Sequence, residues 1–247
     1  MNKHNQYGFG LVAIFAVVLA VGILGFIGFR VFTAQKTDTP SQTQQQAKSD
    51  ELAIKNLGLA SLDSVLVSND ALREYASQGL KGFYAFGDKL GNTGRTNPNF
   101  EFSSLKAGTK VVASIDGTVV FVREQSGSAD SEVFLQTFDG SAWMIGYDHL
   151  ANLSVKKGDT VKAGDVLGEP VVQGNGLPRF ELQINKKQSD GSELSYCPSA
   201  LLDSSVKDKQ LAELTTMMQQ WESTSGLELY DIAAQKPAGC LAETVKP

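Results

Sequence analysis

Between about residues 106 and 184 short apolar runs alternate with glycine-containing turns. Residues 110–114, 118–123, 133–137, 142–148, 166–167 and 179–184 are rich in β-branched and aromatic side chains. Each is too short for a helix, so each is predicted as a strand. Asp116-Gly117, Asp139-Gly140 and Lys157-Gly158-Asp159 supply turn chemistry between them. A longer period flanks this core. Asn69 can cap a helix from Asp70 to about Gln78, and Asp203 or Ser204 can cap a second. In the second, Leu211, Leu214, Met218 and Trp221 fall on one face, which reads as packing on the β core or as a partner groove. The expected fold class is mainly β, an antiparallel core with flanking helices.

A third pattern precedes both. Residues 9–29 carry no charged side chain, and a bilayer core of roughly 30 Å needs about 20 helical residues to cross it. Residues 9–32 are therefore expected to form one transmembrane helix after a short tail, residues 1–8. A cleaved signal peptide is the other reading, but the run ends in Phe29-Arg30-Val31-Phe32, which offers no small-x-small site. A third is a type IV pilin leader, which Gly8-Phe9-Gly10-Leu11-Val12 resembles, although Ala13 stands where that family has Glu. Lysine and arginine on both sides of the span leave its orientation open by charge alone. Residues 33–50 contain few groups able to bury apolar surface and are expected to be a flexible linker.

Charge sharpens the division. Residues 1–50 hold four of the 22 Lys and Arg but only two of the 27 Asp and Glu. The body is acidic and has no basic stripe, which excludes a nucleic-acid partner. Cys197 and Cys240 are the two cysteines. In a body held outside the cytoplasm by a single-pass anchor they are expected to pair as a disulfide. Two unpaired buried thiols are the alternative.

The β core also echoes itself. Lys106-Ala107-Gly108-Thr109-Lys110-Val111-Val112-Ala113 returns as Lys156-Lys157-Gly158-Asp159-Thr160-Val161-Lys162-Ala163, and both copies run on to a glycine, Gly117 and Gly168. Two related hairpins facing each other would explain the echo. With Asp116-Gly117-Thr118-Val119, Tyr147-Asp148-His149-Leu150, Leu167-Gly168, Phe180-Glu181-Leu182 and Cys197-Pro198-Ser199, these segments resemble, in order and spacing, the lysostaphin/LytM-type zinc endopeptidases. The resemblance covers residues 84–202. It implies the duplicated-hybrid-motif fold and a groove for peptidoglycan cross-bridges. Residues 51–83 are then an N-terminal flank, and residues 203–247 hold the expected C-terminal helix and a tail that the disulfide would close.

The same resemblance implies a zinc ion held by an H-x-x-x-D segment and the second His of an H-x-H segment. Here the chain departs from the pattern. The H-x-H positions fall on Leu177 and Arg179, and arginine only donates. The upstream pair falls on Pro98 and Phe102 or, shifted by one, on Asn99 and Ser103. His149 matches the family's Tyr-x-His-Leu position, which assists the reaction without binding metal, and the other histidine, His4, precedes the apolar run. No metal ligand set and no confident catalytic residue are therefore expected, and zinc is not expected as a cofactor. Tyr147, His149, Arg179 and Glu181 are the candidate binding residues, with Arg179 placed to pair with a ligand carboxylate. Nothing in the sequence indicates that Glu101, Asp148 and Glu181 converge as a carboxylate pair for glycoside hydrolysis would. Asn152-Leu153-Ser154 fits a glycosylation acceptor.

These readings point to a membrane-anchored, extracytoplasmic, peptidase-like protein without catalysis. It would bind wall peptide or regulate a wall hydrolase or division complex. An active peptidoglycan metalloendopeptidase with an unorthodox site is a second class. A biotinyl/lipoyl-like adaptor is a third, because residues 155–168 resemble those hairpins, though no modifiable Lys stands in their usual context.

Overall fold

A computed structural model describes residues 51–67, 76–125 and 130–247. The expected anchor at 9–32 and linker at 33–50 lie outside these, as does most of the helix expected from Asp70. Among the described residues no helix is long and apolar enough to cross a membrane.

The described residues form eleven strands and one long helix. The strands are β1 (Phe83–Tyr84), β2 (Phe100–Phe102), β3 (Val111–Val112), β4 (Gly117–Glu124), β5 (Ser131–Gln136), β6 (Trp143–Ala151), β7 (Thr160–Val161), β8 (Val166–Val172), β9 (Pro178–Lys187), β10 (Glu193–Tyr196) and β11 (Thr244–Val245). The helix, α1, is Lys207–Ser225. All strand pairings are antiparallel, and the main path runs β1-β2-β9-β8-β6-β5-β4-β7. Strand β9 alternates strictly between buried and half-buried positions from Pro178 to Ile184, as a strand with one face on a core must.

Strands β6 and β9 pair from Trp143↔Lys186 to Asp148↔Glu181 and then diverge. Strand β8 fills the fork, pairing Leu150↔Pro170 with β6 and Val171↔Arg179 with β9. At the fork His149 takes φ 61° and Asn152 φ 47°, left-handed values that L-residues adopt at a cost.

The sequence echo becomes a reciprocal exchange. Strand β3, from the first copy, pairs Val111↔Gly168 with β8, which follows the second copy. Strand β7, from the second copy, pairs Gly117↔Val161 with β4, which follows the first. The two glycines serve the same purpose. A Cβ on Gly117 would lie 2.3 Å from the Gln136 carbonyl oxygen, and one on Gly168 2.9 Å from that of Ala151. Asp116-Gly117, expected as a turn, therefore opens a strand instead, because its glycine answers close backbone approach.

Helix α1 starts later than expected. Asp203 is held elsewhere: its N–H donates to the Ile54 carbonyl, and its carboxylate accepts from Ser205 N and pairs with Lys55 at 2.7 Å. Val206 is the cap, without a side-chain bond. Leu214, Met217, Met218 and Trp221 are buried in the hydrophobic core, so the stripe is a packing face. Gly226 ends the helix in the left-handed conformation. Cys197 and Cys240 form a disulfide with Cα atoms 5.8 Å apart, which ties the segment after α1 back to the end of β10. The N-terminal arm is equally integral, with Ile54, Leu57 and Leu59 in the core.

Candidate functional site

Three strands side by side present one polar row. Because β2 pairs with β9 and β9 with β6, the registers Glu101↔Glu181 and Asp148↔Glu181 bring three carboxylates onto neighbouring strands. The alternation that sends Phe100, Phe102, Phe180 and Leu182 into the core turns Glu101 and Glu181 to the opposite face. Convergence of these acids, for which the sequence offered no indication, is therefore a product of strand register. Period-2 alternation in Phe100-Glu101-Phe102 and Phe180-Glu181-Leu182 was the available signal, and it does not say which strands adjoin.

Arg179 lies on the same face as Glu181. Its Nη2 pairs with Glu181 Oε1, and its Nε lies 3.0 Å from Glu101 Oε1, an ion-pair contact whose angle falls short of a hydrogen bond. Ser103 Oγ donates to Glu101 Oε1 at 2.9 Å. Asn99 Nδ2 donates to Glu181 Oε2, while Asn99 Oδ1 is buried and accepts no hydrogen bond from the described residues. Arg179 is thus engaged by two carboxylates of its own chain, which changes the expectation that it stands ready for a ligand carboxylate.

His149 sits across the fork, 16% exposed. Its Nδ1 is 2.8 Å from Asp130 Oδ2, and its Nε2 faces Glu181 Oε1 at 3.4 Å and Asp148 Oδ2 at 3.9 Å. Asp148 Oδ1 accepts from Gln125 Nε2 at 2.5 Å and from the His149 N–H at 2.7 Å. Beside Asp148, Glu132 pairs with Arg123. Burial, reinforced by the Asp148 charge, pushes the Glu132 carboxyl above its ordinary value, although Arg123 pulls the other way.

Of the four candidate binding residues, His149, Arg179 and Glu181 meet. Tyr147 does not. It is fully buried on the core side, where its hydroxyl accepts the Ser114 N–H at 2.7 Å, and burial pushes its phenol up to about 12. Neighbours in sequence on one strand point to opposite faces, so Tyr147 packs where Asp148 projects.

The positions that the resemblance assigns to a zinc ion do not suit one. Arg179, a cationic donor, takes up the carboxylates there. Leu177 offers no donor atom, and Asn99 and Ser103 are tied to Glu181 and Glu101. A separate group, Asp148, His149 and Glu181, places one ligand atom from each residue within 4.8 Å of the others.

Residues 101–191 match the family model described as Peptidase family M23. Over 106 residues the chain is 41% identical to an uncharacterized metalloprotease of Haemophilus influenzae, across 42% of this chain and 19% of that one. The chain therefore spans about a fifth of that relative's length. Among solved structures, the catalytic domain of the antimicrobial peptidase lysostaphin from Staphylococcus simulans is 26% identical, covering 47% of this chain and 87% of its own at a TM-score of 0.39. A zinc-containing peptidase from Vibrio cholerae is 21% identical, covering 54% and 37% at a TM-score of 0.37. The motifs in order, the family match and the mainly antiparallel sheet agree, and residues 101–191 form a domain of peptidase family M23.

Proposed function

We propose that this M23 domain works without the family's hydrolysis, as a peptidoglycan-binding module or as a regulator of a wall hydrolase. It is held at the membrane by residues 9–32, with the body outside the cytoplasm. The observation that carries the reading is Arg179 between Glu101 and Glu181. At that position a metallopeptidase needs a neutral donor atom, and the chain supplies a fixed positive charge that two acids have already neutralised. A disulfide between Cys197 and Cys240 suits an exported body.

Full-length protein, purified in detergent, is expected to co-sediment with purified peptidoglycan sacculi and to leave cross-linked muropeptides intact, with or without added zinc. Turnover of muropeptide that a chelator stops would overturn the reading. Absence from the sacculus pellet would leave the regulatory half, which capture of a purified wall hydrolase by the same protein tests.

A further inference from the structure

We propose that the chain holds one divalent transition-metal ion between His149 Nε2, Asp148 Oδ2 and Glu181 Oε1, a ligand set that shares no residue with the positions the resemblance assigns to zinc. The inference stands apart from the proposed function.

Three features of the fork carry it. The first is spacing. Metal–nitrogen and metal–oxygen bonds of about 2.0–2.2 Å at tetrahedral angles put neighbouring donor atoms about 3.3–3.6 Å apart. His149 Nε2 lies 3.4 Å from Glu181 Oε1 and 3.9 Å from Asp148 Oδ2, one edge at the required length and one slightly open.

The second is how each ligand is anchored from behind. Asp130 Oδ2 takes His149 Nδ1 at 2.8 Å, which fixes the ring and turns Nε2 toward two carboxylates. Asp148 Oδ1 is held by Gln125 and by the His149 N–H, leaving Oδ2 to face inward. Glu181 Oε2 is held by Asn99, and Oε1 faces His149 while it also pairs with Arg179. Metal-binding histidines and carboxylates are oriented by such outer hydrogen bonds.

The third is an unmet acceptor. Asn99 is 6% exposed, and its Oδ1 is buried beside Glu181 with no partner among the described residues. A water carried by the ion is a natural donor to it.

One imidazole nitrogen with two carboxylate oxygens suits Zn²⁺ or Mn²⁺ better than Mg²⁺, which keeps its waters and demands octahedral oxygen. Arg179 works against the ion, because it shares Glu181 Oε1 and adds positive charge nearby. It therefore sets the affinity. With His149 holding the metal, the ring is not free to serve as a base, so binding does not entail hydrolysis.

The test is a titration of chelator-stripped full-length protein with ZnCl₂ in competition with a fluorescent chelator. One ion per chain is expected. His149→Ala and Asp148→Asn should each weaken binding by at least about tenfold, and Asp130→Asn by about ten- to a hundredfold. Arg179→Met should strengthen it by about tenfold or more, since it removes a neighbouring cation. His4→Ala should change nothing. Circular dichroism of each variant checks folding, and if His149→Ala fails to fold, Asp130→Asn and Arg179→Met carry the test. The proposal falls if wild-type protein takes up no stoichiometric zinc, if folded His149→Ala retains full affinity, or if Arg179→Met weakens binding. Cleavage of muropeptide by the zinc-loaded protein would instead sink the non-hydrolytic function and leave the site standing.

Discussion

Strands β2, β9 and β6 have two faces made from alternate residues of the same three segments. Phe100, Phe102, Tyr147, Phe180 and Leu182 fill the inner face and are fully buried. Glu101, Asp148, Arg179 and Glu181 stand on the outer face, each partly exposed. The inner face is held by ring packing: Phe180 stacks on Phe102 at 6.2 Å and on Tyr147 at 6.3 Å. The outer face is held by charge, between side chains that are 12–25% exposed. Stability therefore resides mainly inside, and chemistry outside, on one shared backbone. A substitution can abolish one with little effect on the other.

The largest effect should come from the inner face. Phe180→Ala removes a ring that touches Phe102, Tyr147 and the close approach of Gly58. It should cost about 3–5 kcal/mol in urea unfolding. A loss below about 1 kcal/mol would mean that the inner face does not hold the domain together. Away from both faces, Cys197→Ser with Cys240→Ser should cost about 2–4 kcal/mol, because the closed loop spans 43 residues. Labelling of the denatured, unreduced wild-type protein with a thiol reagent should find neither cysteine free.

On the outer face Arg179→Met should cost only about 1–2 kcal/mol, less than a fully buried pair because these side chains are 12–25% exposed. The loss arises mainly from leaving Glu101 and Glu181 side by side, so adding Glu101→Gln should recover part of it. Additive losses in that double-mutant cycle would show that the three groups do not act together. The smallest effect is a pH dependence. Burial raises the Glu132 carboxyl above its ordinary 4.5, so the folded chain keeps this proton to higher pH than the unfolded chain. The group's contribution is complete below 4.5 and declines as pH rises through the raised value. Glu132→Gln should remove that decline, flattening the stability curve above pH 4.5 by less than about 1 kcal/mol once screening is allowed for. A curve unchanged by the substitution would place the titration elsewhere.

Local pattern determined much of this protein. The strand at 118–123, the alternation through 179–184, the turn at Asp139-Gly140 and the apolar stripe of α1 were all legible, because each depends on residues close in the chain. So was the duplication, whose equivalent positions Val111 and Val161 pair with the paired glycines. Strands β1, β2, β10 and β11 were not legible, since two to four residues carry too little pattern and form only because a partner edge waits for them. The site divides in the same way. His149, Arg179 and Glu181 could be picked out as candidates from the motifs, and the structure brings them together. The row of Glu101, Glu181 and Asp148, the capture of Arg179 within it and the burial of Tyr147 away from it could not. They were decided by the register of three strands drawn from residues 100, 148 and 181, and register is set by hydrogen-bond ladders and core packing between distant segments, which no local stretch of sequence encodes.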